Sequence, residues 1–176
     1  MHAEIVIAGS GGQGVLVIGR LLAEAGFLEG REVVWSPSYS AEKRGGTVSC
    51  SVTISDEKIG ALFSTRPTIG IAMNLASAGK LEQTVQTGGW LVVNQAEKIF
   101  KATRTDIHYL AVPANRLALE IGTESTANII LVGAFLAVEP VVSLGGVIKA
   151  MDQLFGNNAK ANEMNKRALI KCNATG

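Results

Sequence analysis

The sequence predicts a single α/β domain: a mainly parallel, Rossmann-like sheet with helices on both faces and at least one more exposed strand toward an edge. Three observations carry this. Short apolar runs alternate along the chain with segments of helical spacing, as in parallel strands joined by crossover helices. The first run passes at once into a glycine-rich turn and then a helix. The length, 176 residues, suits one domain of roughly 100–200 residues, spanning 1–176, with enough chain to bury a core without disulfides.

The elements follow in order. Glu4-Ile5-Val6-Ile7-Ala8 is a nearly continuous apolar run and reads as a strand buried on both faces. After the turn at Gly9 to Gly14, Val15, Ile18, Leu22 and Ala25 recur at helical spacing, and Gly30 stands where a helix stops. Glu32 to Ser36 is a second strand, which Pro37 is expected to end because proline cannot donate to a ladder. Val48, Cys50, Val52 and Ile54 alternate with Ser49, Ser51, Thr53 and Ser55. Period two with one polar face marks a half-exposed strand near the sheet edge, and its hydroxyl face is where another subunit would be sought. Thr68 to Met73, Trp90 to Asn94 and Asp106 to Val112 read as further strands. Helices are expected over 76–87, from Pro113 to about Ile121, over 126–138 (apolar nearly all round), over 144–155 and from Asn158 to about Cys172. Ligands on such sheets gather at the carboxyl ends of the strands. The loops 9–14, 36–46, 74–76 and 94–96 are therefore the ones that matter.

Composition excludes several classes. Net charge is +1 with no basic stripe, unlike a nucleic-acid binder. The longest apolar run, Ile129 to Val138, falls short of the roughly 20 residues a membrane span needs. The N-terminus lacks a basic, apolar leader, so a cytoplasmic protein is expected. Cys50 and Cys172 are isolated and form no metal or cluster motif. Charged residues are only 18%, low for a free domain, which fits a surface partly hidden against partners. His2 is terminal, and His108 on a strand reads as structural or surface.

Gly9-Ser10-Gly11-Gly12-Gln13-Gly14 fits GxGxxG after a strand and before a helix, the context that motif requires. Its glycines let backbone amides approach a phosphate at a helix N-terminus. As a dinucleotide signature it is incomplete, because Val34-Trp35-Ser36 offers no carboxylate for a ribose. Arg44 could imitate an NADP clamp, although it lies far into its loop. Val15 follows Gly14 where a Walker A loop needs Lys. A tight packing turn remains an alternative. The second loop, Ser38-Tyr39-Ser40-Ala41-Glu42-Lys43-Arg44-Gly45-Gly46, places Glu42 and Arg44 to pair with each other or to meet a ligand or neighbour. Gly45 and Gly46 can take positive φ. Asn74 and Asn94 end strands at the binding edge, where each can cap a helix or touch a ligand.

GxGGQG followed at this distance by Glu42-x-Arg44-Gly45-Gly46-Thr47 and Cys50-Ser51-Val52 resembles the gamma subunit, or gamma domain, of 2-oxoacid:ferredoxin oxidoreductases. Ile71-Ala72-Met73-Asn74, Gly88-Gly89 before Val92-Val93-Asn94, and Ala127-Asn128 before Leu131-x-Gly133-Ala134 agree, so the resemblance covers about residues 3–170. The 2-oxoglutarate and 2-oxoisovalerate kinds look nearest, and pyruvate enzymes share the motifs.

The resemblance implies oxidative decarboxylation of a 2-oxoacid to an acyl-coenzyme A with reduction of ferredoxin. It implies thiamine diphosphate, magnesium and iron–sulfur clusters in alpha, beta and (in some enzymes) ferredoxin-like delta partners. No cofactor would be tightly bound here, no residue of this chain would be catalytic, and the isolated chain would be inactive. On this reading Gly9, Gly11, Gly12, Gln13 and Gly14 face a phosphate of coenzyme A or the thiamine-bearing neighbour. Glu42, Arg44, Gly45 and Gly46 fix a loop or interface, and Asn74 and Asn94 border the site. A free-standing NAD(P)-dependent oxidoreductase and a purely structural assembly subunit stay open beside it.

Overall fold

The structure is a computed structural model that describes residues 1–39, 46–60, 66–95 and 98–173. Strands β1 (His2–Ser10), β2 (Glu32–Tyr39), β3 (Thr47–Ser55), β4 (Ile69–Ala72), β5 (Trp90–Asn94) and β6 (His108–Val112) form one six-stranded sheet, ordered β2-β3-β1-β4-β5-β6. β1, β4, β5 and β6 run parallel, and β3 is antiparallel to both β1 and β2. The sheet is mainly parallel, as expected, but β3 separates β1 from β2, which an ordinary βαβ unit would place side by side.

The alternating segment, β3, lies near the edge as expected, one strand in from the edge strand β2. Its polar face is more covered than the alternation implies: Ser49 and Ser51 are half-buried, and Thr53 and Ser55 are buried. Pro37 does not end β2, contrary to expectation: the strand continues to Tyr39 with Pro37 opposite Cys50. An edge strand has one unpaired side, so a residue lacking an N–H can sit there without breaking the ladder.

Helices α1 (Val15–Leu28), α2 (Leu75–Glu82), α3 (Ala114–Ile121), α4 (Ala127–Val138), α5 (Leu144–Phe155) and α6 (Ala159–Asn173) cover the sheet unequally. The larger core joins Ile5 and Ile7 of β1, Cys50, Val52 and Ile54 of β3, and Ile18, Leu21 and Leu22 of α1 to α4. The smaller one packs Ala78 and Leu81 of α2 on Ala8, Ala72, Leu91 and Val93. Residues Ala127 through Leu136 of α4 are all buried, which explains why that helix has no polar stripe. Gly133 lets α6 approach: a Cβ there would stand 2.5 Å from the Leu169 carbonyl oxygen.

α2 is shorter than its pattern, ending at Glu82 rather than near residue 87. Arg104 takes the carbonyls that a longer helix would use. Its Nη1 donates to Glu82 O at 2.8 Å and Val85 O at 2.6 Å. A cation placed on the last carbonyls satisfies them and complements the helix dipole.

Candidate functional site

Strand order changes direction at β1: the chain leaves it for β2 on one side, and β4 lies on the other. Crevices at such switch points, beyond the carboxyl ends of the strands, are where α/β sheets bind ligands. The glycine turn after β1 and Met73-Asn74 after β4 meet there.

The glycines of the turn have different reasons to be glycine. Gly12 and Gly14 have φ of 88° and 77°, left-handed conformations that other L-residues adopt at a cost. A Cβ on Gly14 would also run into Asn128 Nδ2. Gly9 keeps normal φ, but a Cβ there would lie 2.7 Å from Met73 Cβ. Gly11 faces open space. Past the turn, α1 starts with no side-chain cap and no acidic residue in its first turn. Its first amides thus have no capping side chain, a condition shared with phosphate-binding helix starts.

The Gln13 side chain is held by three hydrogen bonds within the fold. Its Oε1 accepts from Ser10 N at 2.7 Å and Asn74 Nδ2 at 2.8 Å, and its Nε2 donates to Met73 O at 3.3 Å. The side chain ties the ends of β1 and β4 together and fixes the turn. Asn74 caps α2, accepting from Ser77 N at 2.9 Å, and its Nδ2 also reaches Ser10 Oγ at 3.2 Å. Asn94 caps nothing. Its Nδ2 donates to Met73 O at 3.3 Å and to Asn115 Oδ1 at 3.0 Å.

Gly12, Gln13, Gly14, Met73 and Asn94 border a cavity of about 760 Å³, whereas Gly9, Gly11 and Asn74 are not part of its lining. One wall is Gly12, Gln13 and Gly14, and the floor is Met73, Asn94 and Asn115. The far wall is the 3-10 turn Glu124–Thr126 with the start of α4, and the start of α6 with Lys160. The charged side chains of the lining are Lys160 and Glu124. Sequence reasoning missed the far wall. The faint signal was Asn158, which caps α6 by accepting from Ala161 N at 3.1 Å.

Thr47 pairs with Ser10 and Tyr39 with Val48, so both stems of the 36–46 loop stand at the glycine turn. Gly46 is half-buried directly before β3. Glu42, Arg44 and Gly45 lie outside the described residues.

Neither cysteine nor histidine joins the site. Cys50 is buried under α1 with its Sγ donating to Val15 O at 3.6 Å, and burial pushes its thiol up to about 11 despite a hydrogen bond with Trp35. His108 is exposed and stacks on Trp90 at the starts of β6 and β5, with centroids 4.8 Å apart. Among the described residues no group of three or more His, Cys, Asp or Glu side chains is placed to hold a metal ion. No described helix is long and apolar enough to cross a membrane.

Residues 4–172, nearly the whole chain, match the family described as pyruvate ferredoxin/flavodoxin oxidoreductase. The chain belongs to that family. Among relatives in the oxidoreductase family, ketoisovalerate oxidoreductase subunit VorA of Methanothermobacter marburgensis is 38% identical over 137 residues. That match covers 78% of this chain and only 28% of the relative, so the chain spans under a third of that protein. The gamma subunit of a keto/oxoacid ferredoxin oxidoreductase from Geobacter sulfurreducens matches nearly end to end. Its TM-score is 0.82 at 28% identity, covering 97% of this chain and 95% of that one. The fold recurs at TM-score 0.88 and 22% identity in the 2-oxoglutarate:ferredoxin oxidoreductase of Magnetococcus marinus, solved with 2-oxoglutarate, coenzyme A and succinyl-CoA bound. There it covers 98% of this chain and 30% of that one. The resemblance carried by GxGGQG and the second loop is thus borne out at the level of the family.

Proposed function

We propose that the chain is the gamma subunit, or gamma domain, of a thiamine diphosphate-dependent 2-oxoacid:ferredoxin oxidoreductase. It serves assembly and the approach of coenzyme A during oxidative decarboxylation of a 2-oxoacid to an acyl-coenzyme A. The observation that supports this best is the cavity at the switch point, where an uncapped helix start and left-handed glycines offer backbone amides to a phosphate. The carbanion and electron-transfer chemistry belongs to thiamine diphosphate with magnesium and to iron–sulfur clusters, held by alpha, beta and, where present, ferredoxin-like delta partners, with ferredoxin as acceptor. The setting is cytoplasmic. The contribution of this chain is position and electrostatics, through Gly9, Gly11, Gly12 and Gly14 at the turn, Gln13 and Asn74 as its struts, and Asn94 in the cavity. Glu42, Arg44, Gly45 and Gly46 serve the adjoining loop or interface.

The free-standing NAD(P) reading loses ground on topology. A dinucleotide fold places the strand after the first helix next to β1, with an acidic residue at its end for the ribose. Here β3 intervenes, and β2 ends in Ser36 to Tyr39 with no carboxylate.

The test is to express the chain with its natural partners, co-purify, and assay coenzyme A-dependent ferredoxin reduction across several 2-oxoacids. A co-purifying complex active on at least one 2-oxoacid is expected. Failure of any partner to co-purify from the native host overturns the subunit reading. A Gly12→Val complex should show a raised KM for coenzyme A, and an unchanged KM would leave only the assembly role.

A further inference from the structure

Asn128 commits only half of its side-chain amide to the fold. The residue stands in the first turn of α4, is 7% exposed and lines the cavity. Its Oδ1 accepts from Ile129 N at 2.9 Å, which answers one of the open amides of the helix start and fixes the way the carboxamide faces. Its Nδ2 donates to nothing among the described residues. The described side-chain atoms that the fold both covers completely and leaves unpaired are Asn94 Oδ1 and Asn162 Oδ1. Asn128 Nδ2 is not one of them, so this donor keeps access to solvent, and the solvent beside it is that of the cavity.

The glycine turn is shaped around this amide. Gly14 lies against it, and a Cβ on Gly14 would run into Asn128 Nδ2. Gly12 and Gly14 hold left-handed φ, and their backbone amides also donate to no described group. α1 and α4, helices of 14 and 12 residues, both start here without a hydrogen bond from an N-cap side chain. Three unused N–H donors and two helix starts therefore meet at one place on the cavity wall. The formal charges of the lining, Glu124 and Lys160, cancel. An anion seated there is held by directed donors and helix dipoles rather than by net charge.

We propose that Asn128 Nδ2 donates a hydrogen bond to a phosphate oxygen of a ligand seated between the glycine turn and the start of α4. The proposal deepens the coenzyme A reading above and rests on it. Gly14 is then glycine for two reasons: its φ, and the room that its missing side chain leaves for the Asn128 amide. The contact comes from the last third of the chain, so the phosphate is gripped from both walls of the cavity and not from the glycine turn alone.

The full chain, alone and in the co-purified complex, is titrated in calorimetry with inorganic diphosphate and with desulfo-coenzyme A. Asn128→Ala removes the donor and should weaken both probes about tenfold, the scale of one hydrogen bond to a charged group. Asn128→Asp keeps an oxygen for Ile129 N but sets a carboxylate beside the phosphate, so its loss should exceed that of Asn128→Ala. A carboxylate in the first turn of a helix complements the dipole, so Asn128→Asp should melt no lower than Asn128→Ala. Binding and stability then rank the two variants in opposite order, which a purely structural role would not produce. Affinities unchanged in both variants, or losses of affinity that follow losses of melting temperature, overturn the proposal. A loss for desulfo-coenzyme A alone would place the amide on another part of that cofactor and overturn the phosphate contact. If neither variant folds, by circular dichroism, the wild-type chain decides: its Asn128 side-chain amide resonances should move with either probe, and resonances that stay still overturn the proposal. A wild type that binds neither probe overturns the proposal together with the coenzyme A reading, whereas a binding wild type with unchanged variants overturns the proposal alone. The subunit reading is judged separately by co-purification.

Discussion

Glu82 and Asn94 are both buried polar side chains, 2% and 6% exposed, at opposite ends of the strands, and the fold completes one and not the other. Glu82 closes α2 and accepts from Thr103 N at 2.7 Å, Thr103 Oγ1 at 2.8 Å, Arg104 N at 3.3 Å and the Tyr109 hydroxyl. Arg104 in turn grips Asp106 through Nε at 2.9 Å and Nη2 at 2.7 Å, and Thr87 Oγ1 donates to the same carboxylate at 2.7 Å. Every arm of this charged cluster ends on another, which is how a buried carboxylate becomes tolerable. The Asn94 end is built from neutral amides (Gln13, Asn74, Asn94 and Asn115), and one acceptor in it stays unfilled. The closed charged cluster fixes a segment of chain, whereas three of the neutral amides, Gln13, Asn94 and Asn115, border the cavity.

The largest effect should come from opening the closed cluster. Glu82→Ala leaves the Thr103 and Arg104 amides and the Tyr109 hydroxyl without their acceptor, and should cost about 3–5 kcal/mol, as when a buried charged partner is removed. The urea midpoint measures this. Coenzyme A kinetics of the assembled enzyme should not change, because the cluster lies at the far end from the cavity. A stable Glu82→Ala chain with altered coenzyme A affinity would break the distinction.

The same cluster sets a pH dependence. Burial alone would raise the Glu82 carboxyl, but hydrogen bonds from Tyr109, Thr103 and Arg104 outweigh it and hold it below the usual range. A carboxyl lowered on folding stabilises the protein fully above its unfolded pKa, and that contribution is lost as pH falls through the folded value. Stability should therefore decline on acidification below the ordinary carboxylate range, and Glu82→Gln should flatten the decline. Tyr109 acts at the other end of the pH scale: burial, then its bond to Glu82, push it up to about 12. Its contribution is present below its ordinary value near 10 and is lost as pH rises toward 12. Urea midpoints across acid and alkaline pH test both signs.

At the open end the expected costs are smaller and fall on binding as well as stability. Gly14→Ala forces a left-handed φ on alanine and drives its Cβ toward Asn128, so about 1–3 kcal/mol is expected from the strained conformation. The assembled enzyme should also show a raised KM for coenzyme A. A Gly14→Ala chain that lost stability without any change in KM would place the glycine turn with Glu82, as scaffold only.

What the residues reveal in advance divides along the same line. The strand–glycine turn–helix unit was legible because it is local: the apolar run, the glycines and the helical spacing follow one another directly. Asn74 as a cap is also local. The strut role of Gln13 was not legible, because its partners, Met73 and Asn74, lie about sixty positions away. Glu82 was invisible for the same reason, since Thr103 and Tyr109 reach it only after the chain has crossed β5 and turned into β6. The β3 insertion escaped because alternation reports which face is covered and never which neighbour is paired. The far wall of the cavity comes from the last third of the chain, whose helices announce their apolar faces and conceal which ends converge.

The smallest structural change separates scaffold from binding most cleanly. Gly12, the obvious position to alter, has a φ of 88°, so any side chain there mixes backbone strain with loss of contact. Gly11 has no positive φ, and a Cβ added to it would meet no heavy atom within 4 Å. Gly11→Ala should therefore leave stability within about 0.5 kcal/mol, as at other unconstrained surface positions. The added methyl projects into open space, and Gly11 is not part of the cavity lining. A KM for coenzyme A raised a few-fold with an unchanged melting temperature would show that phosphate approaches the turn from that side. An unchanged KM would confine the ligand to the inner side, between Gly12 and Gly14 and the Asn94 floor.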